Sequence, residues 1–372
     1  MSYKIFLSPP HIEGNELKYV KEVFESNYLA PVGEFLNRFE NEICKITGSK
    51  FALAVSSGTA AIHLALNLLN VGKDDYVLVS DLTFIGSVTP VLFQNAIPVF
   101  IDSDTKTWNA DPNLLEDAIK FLINKNKKPK ALILVHLYGQ CADIVSIMEI
   151  CGKYDIPVIE DAAESLGACF KGKHTGTFGE IGVYSFNGNK IITTSGGGAI
   201  VTDNKQFIER AKFLSTQARE DFLHYEHKEA GFNYRMSNVL AAIGVGQIEL
   251  LEKKINKKRA VYEKYKSLLS DIEEVNFMPE LEGSAGNRWL TTLTLKKTSP
   301  LKIIKNLQKH GIESRPIWKP MHLQPLFKDA LSFTAGVSKK LFETGLCLPS
   351  GTNLTDDNIL EVSSIVKKTC LK

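Results

Sequence analysis

Lys190 is the residue that first invites a chemical reading. It stands in Ser185-Phe186-Asn187-Gly188-Asn189-Lys190-Ile191-Ile192-Thr193-Thr194-Ser195-Gly196-Gly197-Gly198, a single cation in an apolar, glycine-rich stretch. Burial lowers the pKa of a lysine and makes its amine a nucleophile toward carbonyls. The competing reading is a solvated loop, where most lysines are found. A second cluster, Glu160-Asp161-Ala162-Ala163-Glu164, puts three acids within five residues behind the apolar run Val158-Ile159. A carboxylate there needs a partner: the backbone N–H groups of a helix that Asp161 caps, or a cationic nitrogen on a ligand. A third cluster, Ser56-Ser57-Gly58-Thr59-Ala60, turns the apolar run Phe51–Val55 into a helix. Amides at such a start bind phosphate, and Ser or Thr is also the ordinary N-cap. Taken alone, these two readings of the third cluster balance.

All three clusters follow runs that read as buried strands. Phe51–Val55, Tyr76–Ser80, Ile97–Ile101, Ala131–Val135 and Pro157–Glu160 are near-continuously apolar and alternate with helical patterns such as Pro112–Asn124. This predicts an α/β fold with a mostly parallel sheet between helices, and ligands bind beyond the carboxyl ends of such strands. Nine of the 26 glycines fall within residues 167–198, which marks forced turns or close backbone approach, to packing or to a ligand. Two strands are expected there, Gly182–Phe186 and Gly198–Thr202. A helical pattern runs from Ser237 toward Leu269, and the remainder reads as a small α+β unit, with a strand at Trp289–Leu295 and helices at Pro300–His310 and after Thr355. The expected division is a large domain, 1–250, and a small C-terminal domain, 251–372.

Composition narrows the classes. The 372 residues carry 44 basic and 42 acidic side chains, a balance that gives no support to nucleic-acid or membrane-surface binding. The basic stretch Lys253, Lys254, Lys257, Lys258, Arg259, Lys264, Lys266 has only Tyr262 and Tyr265 as aromatics and reads as a helix with one solvated face. Six cysteines without C-x-x-C spacing suit a reduced, cytoplasmic setting. The N-terminus does not read as a signal peptide, and no apolar run reaches membrane-spanning length. G-x-x-x-x-G-K-[ST], G-x-G-x-x-G and H-E-x-x-H are absent. His224 and His227 are a weak metal-like pair, and no metal is expected.

The three clusters, in this order and joined by Gly231-Phe232-Asn233-Tyr234-Arg235-Met236-Ser237, resemble the sugar-nucleotide aminotransferases of the DegT/StrS family, over essentially the whole chain. The resemblance implies an aspartate-aminotransferase-like fold and pyridoxal 5′-phosphate as cofactor. It implies that Lys190 holds the cofactor covalently and moves the proton, and that Asp161 pairs with the pyridine nitrogen. Gly58, Thr59 and Ser185 would bind the phosphate, Phe84 would stack on the ring, and Glu164 would lie near the ring hydroxyl, where many relatives carry Gln. Asn233 would reach the phosphate of a neighbouring subunit, making a homodimer with shared sites. Within the family, Leu7–His11, Ser26–Pro31, Asn187–Gly198, Ser215–Glu220 and Leu348–Thr352 are most similar to the UDP-linked 4-aminotransferases of the bacillosamine pathway. That likeness implies amino transfer from glutamate to C4 of a UDP-linked 4-keto-6-deoxy-N-acetyl sugar, with His322, Lys319, Trp318, His136, Tyr138 and Arg219 as sugar-pocket residues. GDP- or dTDP-linked keto-sugars, and a non-catalytic regulator on the same fold, are the alternatives. Lys190 argues against the family's dehydratase branch, which carries His at that position.

Overall fold

In the computed structural model, which describes residues 3–371, the apolar runs become strands of one eight-stranded sheet. The strands β1 (Phe51–Val55), β2 (Tyr76–Ser80), β3 (Ile97–Ile101), β4 (Ala131–Val135), β5 (Val158–Asp161), β6 (Ile181–Ser185) and β7 (Gly198–Thr202) lie in the order β1-β7-β6-β5-β4-β2-β3. The short strand Ser332–Phe333 closes the far edge beside β3. β7 runs antiparallel to both neighbours and every other pairing is parallel.

The continuous apolarity of these strands follows from two covered faces. Val77, Val79 and Ile133 pack with Ala61, Ile62 and Ala65 of helix Gly58–Leu68. Leu78, Leu132 and Leu134, their alternates, pack with Leu115 and Ile119 of helix Pro112–Asn124 and Ile147 of helix Ile144–Lys153. Period-two alternation thus feeds two separate cores from one run.

A four-stranded antiparallel sheet, in the order Val275–Phe277, Thr291–Leu295, Gly345–Leu348, Arg315–Pro316, forms the second unit. Helices Pro300–Lys309 and Asp356–Cys370 cover it with Ile303, Leu307, Ile359 and Val362. The single helix expected from Ser237 to Leu269 is two, Asn238–Ile248 and Leu251–Leu269, because Leu250 leaves helical geometry at φ −106°, ψ 7°. Leu251 and Ile255 belong to a core of the large sheet, whereas Val261, Tyr265 and Leu269 belong to the small one. Segments also cross in both directions. Ile5 packs in the small core, and Met321 and Phe327 return to the large one. The two cores therefore do not divide at one point of the chain. The solvated-face reading of the basic helix holds for Lys253 and Lys266 but not for Lys254 and Lys258, which are buried. Among the described residues, no helix is long and apolar enough to cross a membrane.

Candidate active site

The strand pairings bring the carboxyl ends of β1, β2, β4, β5 and β6 to one edge of the sheet, where β7, antiparallel to β1 and β6, begins. A cavity of about 680 Å³ opens at this edge, a size suited to a small-molecule site. Ser56–Thr59, Thr83, Phe84, Ser87, Asp161, Glu164, Ser185, Lys190, Gly196 and Gly197 line it. The edge that the sequence pattern singles out is thus where its three clusters meet.

Asp161 is the last residue of β5 and nearly buried. Its Oδ2 accepts the Ser87 hydroxyl proton at 2.6 Å, and its Oδ1 accepts the Ala163 amide at 3.1 Å. Turns rather than a helix follow it, so it is not a helix cap. The pleat sends the adjacent Glu160 to the opposite side. There its carboxylate accepts the Gly176, Phe178 and Gly179 amides at 2.7, 2.5 and 2.6 Å, a structural anchor for the glycine-rich loop.

Lys190 ends a turn closed by its amide on the Asn187 carbonyl. Its side chain is only 12% exposed, so it is no solvated loop lysine. Nζ stands 3.5 Å from Glu164 Oε1 and 4.2 Å from the centre of the Trp289 ring. Glu164 Oε2 accepts the Tyr138 amide at 2.6 Å. Burial pushes the Glu164 carboxyl up to about 7, against the opposing pull of Lys190.

At the helix start the cap and the anion cradle coexist. Ser57 Oγ accepts the Ala60 amide at 3.0 Å. Gly58 and Thr59 open the helix Gly58–Leu68 and have no carbonyl one turn behind them, so their amides face the cavity edge. Of the glycine triplet, Gly198 is required by packing at this point, Gly197 by Thr194 and Met236, and Gly196 borders open space. A Cβ on Gly198 would stand 2.5 Å from the Gly58 nitrogen. Ser185 is adjacent, 3.2 Å from where a Gly58 Cβ would be. Phe84 is 58% exposed on the cavity wall, an apolar plate with one free face. Two amides and hydroxyls for a phosphate, a buried carboxylate for a protonated ring nitrogen, an amine for a carbonyl and an aromatic plate fit pyridoxal phosphate.

The other expected residues are placed less uniformly. Trp318 lines the cavity, with its ring 5.8 Å from that of Phe84. His136 and Tyr138 do not, which corrects their reading as sugar contacts within the protomer. His136 is fully buried, with Nε2 against Glu160 Oε2 at 2.9 Å and Nδ1 accepting the Ala142 amide. Tyr138 lies behind the wall, and its hydroxyl accepts the Trp318 amide at 3.1 Å. His322 is likewise turned away, held by its Nδ1 on Asp81 Oδ2 at 2.7 Å, and Lys319 is outside the lining. Arg219 is exposed, over the Tyr225 ring, and Asn233 is exposed opposite Thr216. Neither reaches this protomer's cavity. Sequence reasoning missed Ser87 and Trp289. Ser87 stands four residues after Thr83, whose hydroxyl it meets at 2.7 Å, but nothing local aims it at Asp161. Trp289 precedes a strand of the small sheet and reaches Lys190 only through the packing of the two units. Among the described residues, no three His, Cys, Asp or Glu side chains are grouped to hold a metal.

Fold and site together define a pyridoxal phosphate-dependent aminotransferase. More particularly, the chain belongs to the DegT/DnrJ/EryC1/StrS aminotransferase family, whose model matches residues 10–367. It is 50% identical over 362 residues to the Bacillus subtilis protein EpsN, whose name assigns it provisionally to the pyridoxal phosphate-dependent aminotransferases, covering 96% of this chain and 93% of that one. It is 33% identical over 360 residues to GDP-perosamine synthase of Escherichia coli O157:H7, covering 96% of each. Among solved structures, the aminotransferase TlmJ of Streptoalloteichus hindustanus superposes with a TM-score of 0.90 at 25% identity, covering 99% of both chains.

Proposed function

We propose that this sugar aminotransferase moves the amino group of glutamate to C4 of a UDP-linked 4-keto-6-deoxy-N-acetyl sugar, giving 2-oxoglutarate and a UDP-4-amino sugar. The observation that carries the substrate reading is the make-up of the cavity wall. Leu7–Pro10, Asn187, Asn189, Lys190, Gly196 and Gly197 line it, and these belong to the segments whose sequence resembles that of UDP-linked 4-aminotransferases.

Each residue's task follows from its surroundings. Gly58 and Thr59 amides with the Ser185 hydroxyl bind the cofactor phosphate, and Phe84 covers its ring. Asp161, oriented by the Ser87 hydroxyl, pairs with the pyridine nitrogen and keeps it protonated. Bound in this way, pyridoxal phosphate supplies a carbonyl to receive the amino group and a ring that accepts the electron pair left when a proton departs. Lys190 Nζ anchors the cofactor and carries that proton between carbon atoms. Glu164 faces the same amine and, with a carboxyl near neutrality, can hold a proton beside it. Trp289 and Trp318 add apolar wall to the same cavity.

The homodimer with shared sites is part of this proposal. Asn233 and Arg219 are exposed on either side of the apolar surface residues Phe222, Leu223 and Tyr225, a patch of the kind that partner subunits cover. A GDP-linked keto-sugar is the second reading, favoured by the similarity to GDP-perosamine synthase along the whole chain. The test is incubation with glutamate and a panel of UDP-, GDP- and dTDP-4-keto sugars, with products weighed by mass spectrometry. Amination of the UDP sugar alone fits the proposal. Turnover confined to the GDP sugar selects the second reading, and no amination of any sugar rejects both.

A further inference from the structure

Two lysines of the basic helix are buried where a solvated face is expected. Lys254 and Lys258 are 1% and 3% exposed. Lys254 Nζ donates to the His11 carbonyl at 2.7 Å. Lys258 Nζ donates to Ser8 Oγ at 3.0 Å and to the Trp289 carbonyl at 2.9 Å. Among the described residues, no carboxylate lies within ion-pair distance of Lys258, and burial beside Lys254 brings its amine down to about 7. Two acceptors match the two N–H bonds of a neutral amine, whereas an ammonium would leave a third N–H without a partner. Burying a lysine without a carboxylate partner costs stability, and a methionine would fill the same volume without that cost. Packing alone therefore does not account for Lys258.

The groups that Lys258 grips converge on the residue next to the site lysine. The Ser8 hydroxyl has one proton, which it gives to the Asn189 carbonyl at 3.0 Å, so toward Lys258 it can only accept. Trp289 Nε1 donates to the same Asn189 carbonyl at 2.7 Å. The Trp289 ring lies 4.2 Å from Lys190 Nζ. We propose that Lys258 is a positioning residue for Lys190: through Ser8 and Trp289 it fixes the peptide that carries the amine and the indole plate beneath it. Its N–H bond to Ser8 Oγ orients the Ser8 proton, which holds the Asn189–Lys190 turn. The same contacts seat the segment Phe6–Pro10, which lines the cavity. The proposal rests on the aminotransferase chemistry of Lys190 and not on the identity of the sugar.

The test uses the full chain freed of cofactor, with Lys258→Met. Added pyridoxal phosphate is captured, trapped with borohydride and located by peptide mass. Capture at Lys190 should slow on the order of tenfold, since small displacements of a reacting group have effects of that size or more. The melting temperature should change by no more than about 2 °C. Unchanged capture overturns the proposal, as does a slowing that merely tracks the unfolded fraction. If Lys258→Met does not fold, Ser8→Ala decides, because it removes the relay hydroxyl and leaves Lys258 in place. Severalfold slower capture supports the relay, and wild-type capture overturns it. No sugar or amino donor is present, so the outcome is independent of the substrate proposal.

Discussion

Replacing Glu164 by Gln should stabilise the cofactor-free protein at pH 8 and leave it nearly unchanged at pH 4. The carboxyl is fully buried, and its pKa rises from an ordinary 4.5 to about 7. The folded state therefore binds the proton more tightly than the unfolded chain. Below pH 4.5 both states are protonated and Glu resembles Gln. Between pH 4.5 and 7 the unfolded chain gives up its proton first, so folding stability falls as pH rises. Above about 7 the full cost is present. At about 1.4 kcal/mol per tenfold change in proton affinity, it amounts to about 3 kcal/mol. The attraction of Lys190 is already contained in that value, since it opposes the burial effect. With an unfolding entropy of about 2.1 cal/mol/K per residue, about 3 kcal/mol spread over 372 residues corresponds to about 4 °C in Tm. The assay is a thermal melt of both proteins without cofactor, from pH 4 to pH 8. The difference in Tm should open from near zero to about 4 °C, with Gln the more stable. A constant offset across the range, or a wild type that gains on Gln as pH rises, would refute a buried carboxyl that resists ionisation.

Three further outcomes follow from the site. Asp161→Asn should fold and lose two to three decades of kcat, roughly the 3–5 kcal/mol attached to breaking a buried charge pair; Ser87→Ala, which removes only the orienting hydrogen bond, should lose on the order of tenfold, and near-wild-type turnover in Asp161→Asn would remove the carboxylate from the chemistry. Gly198→Ala would drive a Cβ to within 2.5 Å of the Gly58 nitrogen, so it should weaken pyridoxal phosphate binding about tenfold or more, read by absorbance titration. Lys190→Ala and Asn233→Asp should each be inactive alone, yet mixed subunits should regain about a quarter of wild-type turnover, because statistical mixing leaves one intact shared site in half of the dimers. Absence of recovery, with mixed dimers confirmed by mass, would place Asn233 in its own subunit's site or outside any.

The sequence by itself determined the parts that depend on neighbours along the chain. Apolar runs such as Ala131–Val135 must be strands covered on both faces, and parallel strands must send the residues after Val55, Asp161 and Ser185 to one edge. That is enough to gather the helix-start amides, a carboxylate and the Lys190 turn. It was also enough to make Lys190 stand out, because one cation in an apolar stretch has few inexpensive places to go. What local pattern cannot carry is direction across the fold. Glu160 and Asp161 are adjacent acids with the same neighbours, and only the pleat of β5 sends one to the glycine loop and the other to the cavity. His136 and Tyr138 follow a strand at the correct edge, yet close packing turns the first to Glu160 and holds the second behind Trp318. The basic helix shows the limit most clearly. Its charges read as a solvated face, but the docking of two units buries Lys254 and Lys258 against the N-terminal segment, more than 240 residues away in sequence. Such contacts depend on how the cores meet, and that is settled by the volume and shape of whole elements rather than by any run of residues.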